Sequence, residues 1–292
     1  MPTFETPEPI TVTVELGVGD ISVEASDRTD TVVDVSPSDP AKKGDVLAAE
    51  QTLVEYADGR LLIRAPKNWR KWTPWGGGES IDVRIGLPSG SHVRGETGVA
   101  ALRCSGRIGD CRYRTGVGDI RLDEVGRVEL KTGAGEISLG RVDGPTEVVT
   151  GSGAIAITRA GGTAVVRNGN GDIWIGEIAG DARVNAANGA ISIDLARATV
   201  TAKTANGGVR VGEVAGGAVV AHTAFGAVEI GVRDGVAAWL DLDTKFGTVR
   251  NGLDTAGRPE PGEDTVEVHA RTGYGDVTIH RSSVGGTGRD VA

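Results

Sequence analysis

Carboxylates recur at one place in a repeat. Asp20, Asp119, Glu136, Asp172 and Asp276 each directly follow a glycine. Acids in glycine-rich β-repeats are the donors of calcium-binding β-rolls, whose nine-residue motif is half of the 18-residue period found here. In this chain the other half-repeat lacks the motif, and Ala154, Ala190 and Gly208 interrupt the acidic column, so the acids read as solvated corners. Glycoside chemistry needs two carboxylates flanking one bond. Arg121, Arg210 and Arg250 fall at outward positions, but no acidic pair shares their column on neighbouring repeats. The four histidines, His92, His222, His269 and His280, lack metal-ligand spacing, and no Gly-x-Ser-x-Gly elbow is present for a nucleophilic serine. The expectation is a non-enzyme with no cofactor and no metal.

The most unusual segment is Lys67-Asn-Trp-Arg-Lys-Trp-Thr-Pro-Trp-Gly-Gly-Gly78, which concentrates three of the five tryptophans. Its Pro and Gly content rules out a core strand. Its rings either cover the flank of a neighbouring hairpin, grip a protein partner through apolar and cation–π contacts, or rest on a membrane surface. Lys67, Trp69, Arg70, Lys71, Trp72 and Trp75 are the candidate partner-contact residues.

What positions these residues is the repeat itself. Gly-Val-Gly-Asp-Ile-Arg-Leu at 116–122 returns as Gly-Ala-Gly-Glu-Ile-Ser-Leu at 133–139, Gly-Ser-Gly-Ala-Ile-Ala-Ile at 151–157 and Gly-Asn-Gly-Asp-Ile-Trp-Ile at 169–175. Decayed copies follow around Gly189, Gly207, Gly226, Gly247 and Gly275. From Gly118 onward the steps are 17, 18, 18, 18, 18, 19, 21 and 28 residues. Two and four residues after each glycine stand aliphatics such as Ile155/Ile157 and Ile173/Ile175, with Ala156 and Trp174 between them. That is the period-two alternation of a strand with one buried face. Positions seven and five before the glycine repeat it, as in Ala164/Val166 and Ala182/Val184.

The expected fold is all-β, a single-domain β-solenoid (β-helix-like) of about ten 18-residue rungs over residues 1–282. Equivalent residues then form columns. Thr115, Thr132, Thr150, Thr204, Thr223, Thr244 and Thr272 make one; Asn170, Asn188 and Asn206 followed by Phe225, Phe246 and Tyr274 make another, both read as corner architecture. A lateral insertion is expected over 36–80, with a short helix at 41–50 and a hairpin turning at Ala57-Asp58-Gly59. Residues 251–264 read as a loop and 283–292 as a disordered tail.

Composition narrows the function. The 292 residues carry a net charge of −9, which argues against a duplex nucleic-acid partner. No stretch approaches the ~20 apolar residues of a membrane span, and no secretory signal is visible, so the expected location is the cytoplasm. Cys104 and Cys111 fall on inward positions and are expected as buried free thiols.

The Gly-x-Gly-Asp-Ile repeats, the Val83-x-Ile85-x-Leu87-Pro88 step and the closing Arg271-Thr-Gly-Tyr-Gly-Asp-Val-Thr-Ile resemble the bacterial β-strand-repeat family named "putative adhesin", most closely its leaderless actinobacterial branch. The resemblance implies a β-solenoid and brings no catalytic residues with it. The expected function is a non-catalytic interaction or scaffold protein with an unidentified protein partner. The alternatives are self-association through the terminal rungs, as in the bactofilins, and a carbohydrate-binding or carbohydrate-active face.

Overall fold

The computed structural model describes residues 1–66, 79–253 and 265–282. Parallel strands stack in register, like upon like. Ile155 pairs with Ile137 on one side and Ile173 on the other, and Val148 lies between Leu130 and Val166. Each rung contributes one strand before its glycine corner and one after, as in Ala164–Asn170 and Ile173–Ile178. Ala164, Val166, Ile173, Ile175 and Ile178 all point inward and are buried. Burying an aliphatic side chain of this kind stabilises by roughly 1.5–3 kcal/mol, so a thin core of small residues suffices when every rung repeats it. The fold is an all-β solenoid with a short helix, Lys43–Glu50, near one end.

The corner is a hydrogen-bonding device. Gly171 takes φ +126 and donates its N–H to the Asn188 carbonyl at 2.8 Å. At several corners the glycine carbonyl accepts from the threonine of the next rung: Thr204 Oγ1 donates to Gly189 O at 3.0 Å, and Thr223 to Gly207 O at 2.8 Å. Where the column holds Asn168 instead, its amide donates to both Gly153 O and Gly171 O. The threonine column therefore satisfies carbonyls that the change in chain direction leaves out of the ladder.

At both ends the stacking departs from chain order, which the repeat spacing did not predict. Thr265–Tyr274 inserts between Gly217–Phe225 and Ala237–Phe246, so Gly275 stacks on Gly226 and the Gly247 rung is outermost. The inner faces explain the choice. Val266, Val268, Ala270, Val277 and Ile279 are apolar and buried, whereas the outermost rung offers Asn251 opposite Ile279 and leaves Val249 exposed. The better-packed face takes the interior place.

At the other end Thr11–Ser26 is internal. The next rung outward is assembled from two pieces, Arg60–Arg64 over Thr11–Glu15 and Ile81–Pro88 over Ile21–Ser26. Leu53–Ala57 adds antiparallel to the first piece and Asp30–Pro37 to the second, with Thr3–Glu5 beyond it. The hairpin expected beside the stack thus lies along its axis, because the Arg60–Arg64 backbone continues the ladder. Antiparallel strands, the helix and the Phe4–Tyr56 ring contact close this end.

Repeat stability is a sum of rung and neighbour-interface contributions, so the outermost rung opens first. Amide exchange should be slowest over 155–193 and fastest among regular strands at Val249–Asn251. Equal protection in the two regions contradicts this.

Candidate functional site: the glycine corner and its ridge

Aspartates after the corner glycines cap backbone amides. Asp119 Oδ1 accepts from the Glu136 N–H at 2.9 Å, Asp172 from Ala190 at 2.8 Å and Asp276 from Thr248 at 2.9 Å. Each acid reaches the same position one rung further, where the turn leaves an N–H without a ladder partner. Among the described residues no three metal-ligating side chains converge. Asp172→Ala should cost about 1 kcal/mol of stability, the size of one net hydrogen bond. Calcium should not shift the melting temperature of either form; a calcium-dependent rise in the parent that the variant lacks would restore the β-roll reading.

His92 and His280 stand apart, whereas His222 lies on the rung beside His269, in register with Arg271. His92 Nδ1 accepts from the Asp110 N–H at 2.8 Å, and His280 Nε2 lies 3.2 Å from Glu229. His269 sits 3.2 Å from Asp241, which Arg271 also reaches at 2.9 Å, with Trp239 tilted over the imidazole at 5.1 Å. The hydrogen bonds from His269 and then Arg271 hold Asp241 below the usual carboxylate range. Sequence spacing could have found this cluster: Asp241 and His269 each stand six residues before the corner glycine, Gly247 and Gly275, of consecutive repeats. Outward positions elsewhere are tied rung to rung by pairs such as Arg197–Glu177 and Arg233–Glu213.

Cys104 and Cys111 are free and buried. Burial pushes both thiols up, Cys111 to about 12, and pushes the Tyr113 phenol to about 12. These folded values lie above the ordinary 9.0 and 10.0. The stability they contribute is complete below about pH 9 and is lost as pH rises toward 12. Denaturant midpoints should fall steeply across that window; a flat profile from pH 9 to 12 contradicts the burial.

One exposed feature is the corner ridge. Asn188 Nδ2 donates to Asn170 Oδ1 at 2.9 Å, and Asn206 Nδ2 to Asn188 Oδ1 at 2.7 Å, forming an amide ladder. The ridge continues as Phe225, Tyr274 and Phe246, in that spatial order. Their rings stack at 4.9 and 4.6 Å with interplanar angles of 5° and 10°. These rings are 53%, 49% and 61% exposed. Ala224 and Gly273 precede Phe225 and Tyr274 in the chain, and Lys245 precedes Phe246. The column was legible in the sequence, whereas its order and exposure were not. Lys67, Trp69, Arg70, Lys71, Trp72 and Trp75 lie outside the described residues.

A family model described as Toastrack DUF4097 matches residues 9–287. Nothing among curated proteins matches the chain. Among solved structures it is similar to a "putative cell adhesion protein" of Clostridium sporogenes, at 12% identity and TM-score 0.24 over 96% of this chain and 98% of that one. A "putative adhesin" of Parabacteroides distasonis is 16% identical with TM-score 0.39, over 95% of each chain. A "putative lipid binding protein" of the same organism is 12% identical with TM-score 0.41, over 94% of this chain and 95% of that one. The chain belongs to the Toastrack DUF4097 family, a putative-adhesin family of unknown function.

Proposed function

We propose that this chain is a non-catalytic interaction protein that holds a protein partner along its corner ridge. The observation that carries the reading is the stack of Phe225, Tyr274 and Phe246, three rings about half exposed and aligned on successive rungs. Rigid aromatic side chains lose little entropy on binding and dominate contact energies where they are desolvated. The polar part of the ridge, Asn170 to Asn206, supplies donors and acceptors already held in place by their neighbours. A cytoplasmic location goes with this reading, and free buried thiols suit it. The test compares proteins captured by the parent and by Phe225→Ser/Tyr274→Ser/Phe246→Ser. The partner set of the parent should be lost in the variant, and identical sets would remove the ridge from the proposal. The Trp69/Trp72/Trp75→Ala variant separates any contribution of that segment.

Self-association is the second reading, supported by the outermost rung. Among the described residues no strand pairs with the outer edge of Ala237–Phe246, and Trp239 and Phe246 there are 58% and 61% exposed. Edge strands of this length invite pairing with another chain. Light scattering over a concentration series should show a growing mass that Phe246→Lys abolishes; a constant monomer mass ends this reading.

A further inference from the structure

One flat face near the antiparallel-capped end departs from the pattern of rung-to-rung ion pairs. Arg84, Ser22, Arg103 and Arg121 occupy one outward column on four consecutive rungs, in register. Successive rungs lie about 4.8 Å apart. Arg103 and Arg121 therefore stand directly across from one another, a like-charge pair that destabilises a sheet unless something neutralises it. None of the three arginines has a carboxylate within 4.0 Å among the described residues. They line an open groove of about 660 Å³. Arg28, which is paired with Asp30 at 2.8 Å, closes one side by lying over Gly86, where any Cβ would strike its guanidinium.

Acids are present but do not quench the pair. Asp34 is in register with Arg84 from the antiparallel strand, Glu24 lies on the rung of Ser22, and Asp123 is engaged by the Gly106 N–H at 3.3 Å. The groove thus joins a doubly cationic centre to hydroxyl and carboxylate acceptors.

We propose that this groove binds a phosphate monoester of a polyol, with the phosphate between Arg103 and Arg121 and the polyol hydroxyls against Ser22 and Glu24. Guanidinium forks match phosphate oxygens in a bidentate geometry, and a monoester near pH 7 carries close to two charges, as many as the arginine pair. A carboxylate carries one and leaves the repulsion half unrelieved. The neighbouring acids accept hydrogen bonds from polyol hydroxyl groups, contacts the inorganic ion cannot extend to make, which sets the preference for the ester. The site is separate from the aromatic ridge, so it stands or falls independently of the partner reading.

Calorimetric titration at fixed ionic strength with glycerol 3-phosphate, inorganic phosphate and acetate tests the assignment. Glycerol 3-phosphate should bind saturably and more tightly than inorganic phosphate, with acetate weakest. Arg103→Gln/Arg121→Gln should weaken glycerol 3-phosphate binding at least tenfold. Both arginines are exposed, so the variant keeps the fold. Thermal unfolding gives an independent readout: in phosphate-free chloride buffer Arg121→Gln should raise the melting temperature by removing the repulsion. Absence of saturable binding, acetate binding as tightly as the ester, or affinity unchanged in the double variant overturns the proposal.

Discussion

Gly171→Val should destabilise the protein by about 3 kcal/mol or more, enough to remove a large share of a domain's net stability. Gly171 holds φ +126, where an L side chain is strained, and a Cβ there would press into the Gly153 carbonyl one rung away. The obstacle is backbone in a continuous ladder, so relief requires shifting a whole rung. Gly17→Ala is the matched control. Gly17 has no positive φ, and a Cβ there meets nothing within 4 Å. Its substitution should stay within about 0.5 kcal/mol of the parent. Urea midpoints measure both, and a Gly171→Val midpoint equal to that of Gly17→Ala contradicts the corner account.

Tyr113→Ala should cost about 3–5 kcal/mol, the range for emptying an aromatic site in a core. Tyr113 is the largest fully buried side chain among the described residues, and its ring occupies space left by Gly95, where a Cβ would come within 2.6 Å of a ring carbon. Its hydroxyl lies 2.9 Å from Thr97 Oγ1 and donates to the Ala100 carbonyl at 3.2 Å. Tyr113→Phe should therefore cost only about 1–3 kcal/mol, the penalty of leaving those polar groups unserved. Gly95→Ala should cost about 1–3 kcal/mol by overpacking against the same ring. If Tyr113→Ala and Tyr113→Phe unfold at the same denaturant concentration, the ring is not filling the core as described.

These two sites mark how far the sequence could be read. The positive-φ corner and the inward Ile and Val pairs follow from local spacing, because each rung must bury its own face against identical neighbours. Tyr113 breaks the aliphatic pattern, and only the stacked position of Gly95 shows why it fits. The corner aspartates looked like solvated groups because the amide each one caps lies a whole rung away. Rung order at the ends was illegible for a related reason. Period alone ranks rungs by chain position, whereas the stack ranks them by the apolar quality of the face they offer, so Val277 and Ile279 displace Val249 and Asn251 from the interior. The arginine groove depends on Ile81–Pro88 stacking against Thr11–Ser26 across a long intervening segment, which no spacing signal encodes.

The non-sequential stack is the claim on which the order of the ridge and the exposed outer edge both depend. Cysteine cross-linking along the ridge tests it most directly. Phe225 and Tyr274 are register partners, as are Tyr274 and Phe246, so each pair of α-carbons lies about one rung spacing apart, within disulfide reach. Phe225 and Phe246 are two rungs apart, near 10 Å and beyond that reach. Mild oxidation of the folded protein should close Phe225→Cys/Tyr274→Cys and Tyr274→Cys/Phe246→Cys, and leave Phe225→Cys/Phe246→Cys open. Closure of Phe225→Cys/Phe246→Cys with Phe225→Cys/Tyr274→Cys left open would mean that the rungs stack in chain order, and would contradict the structure described above.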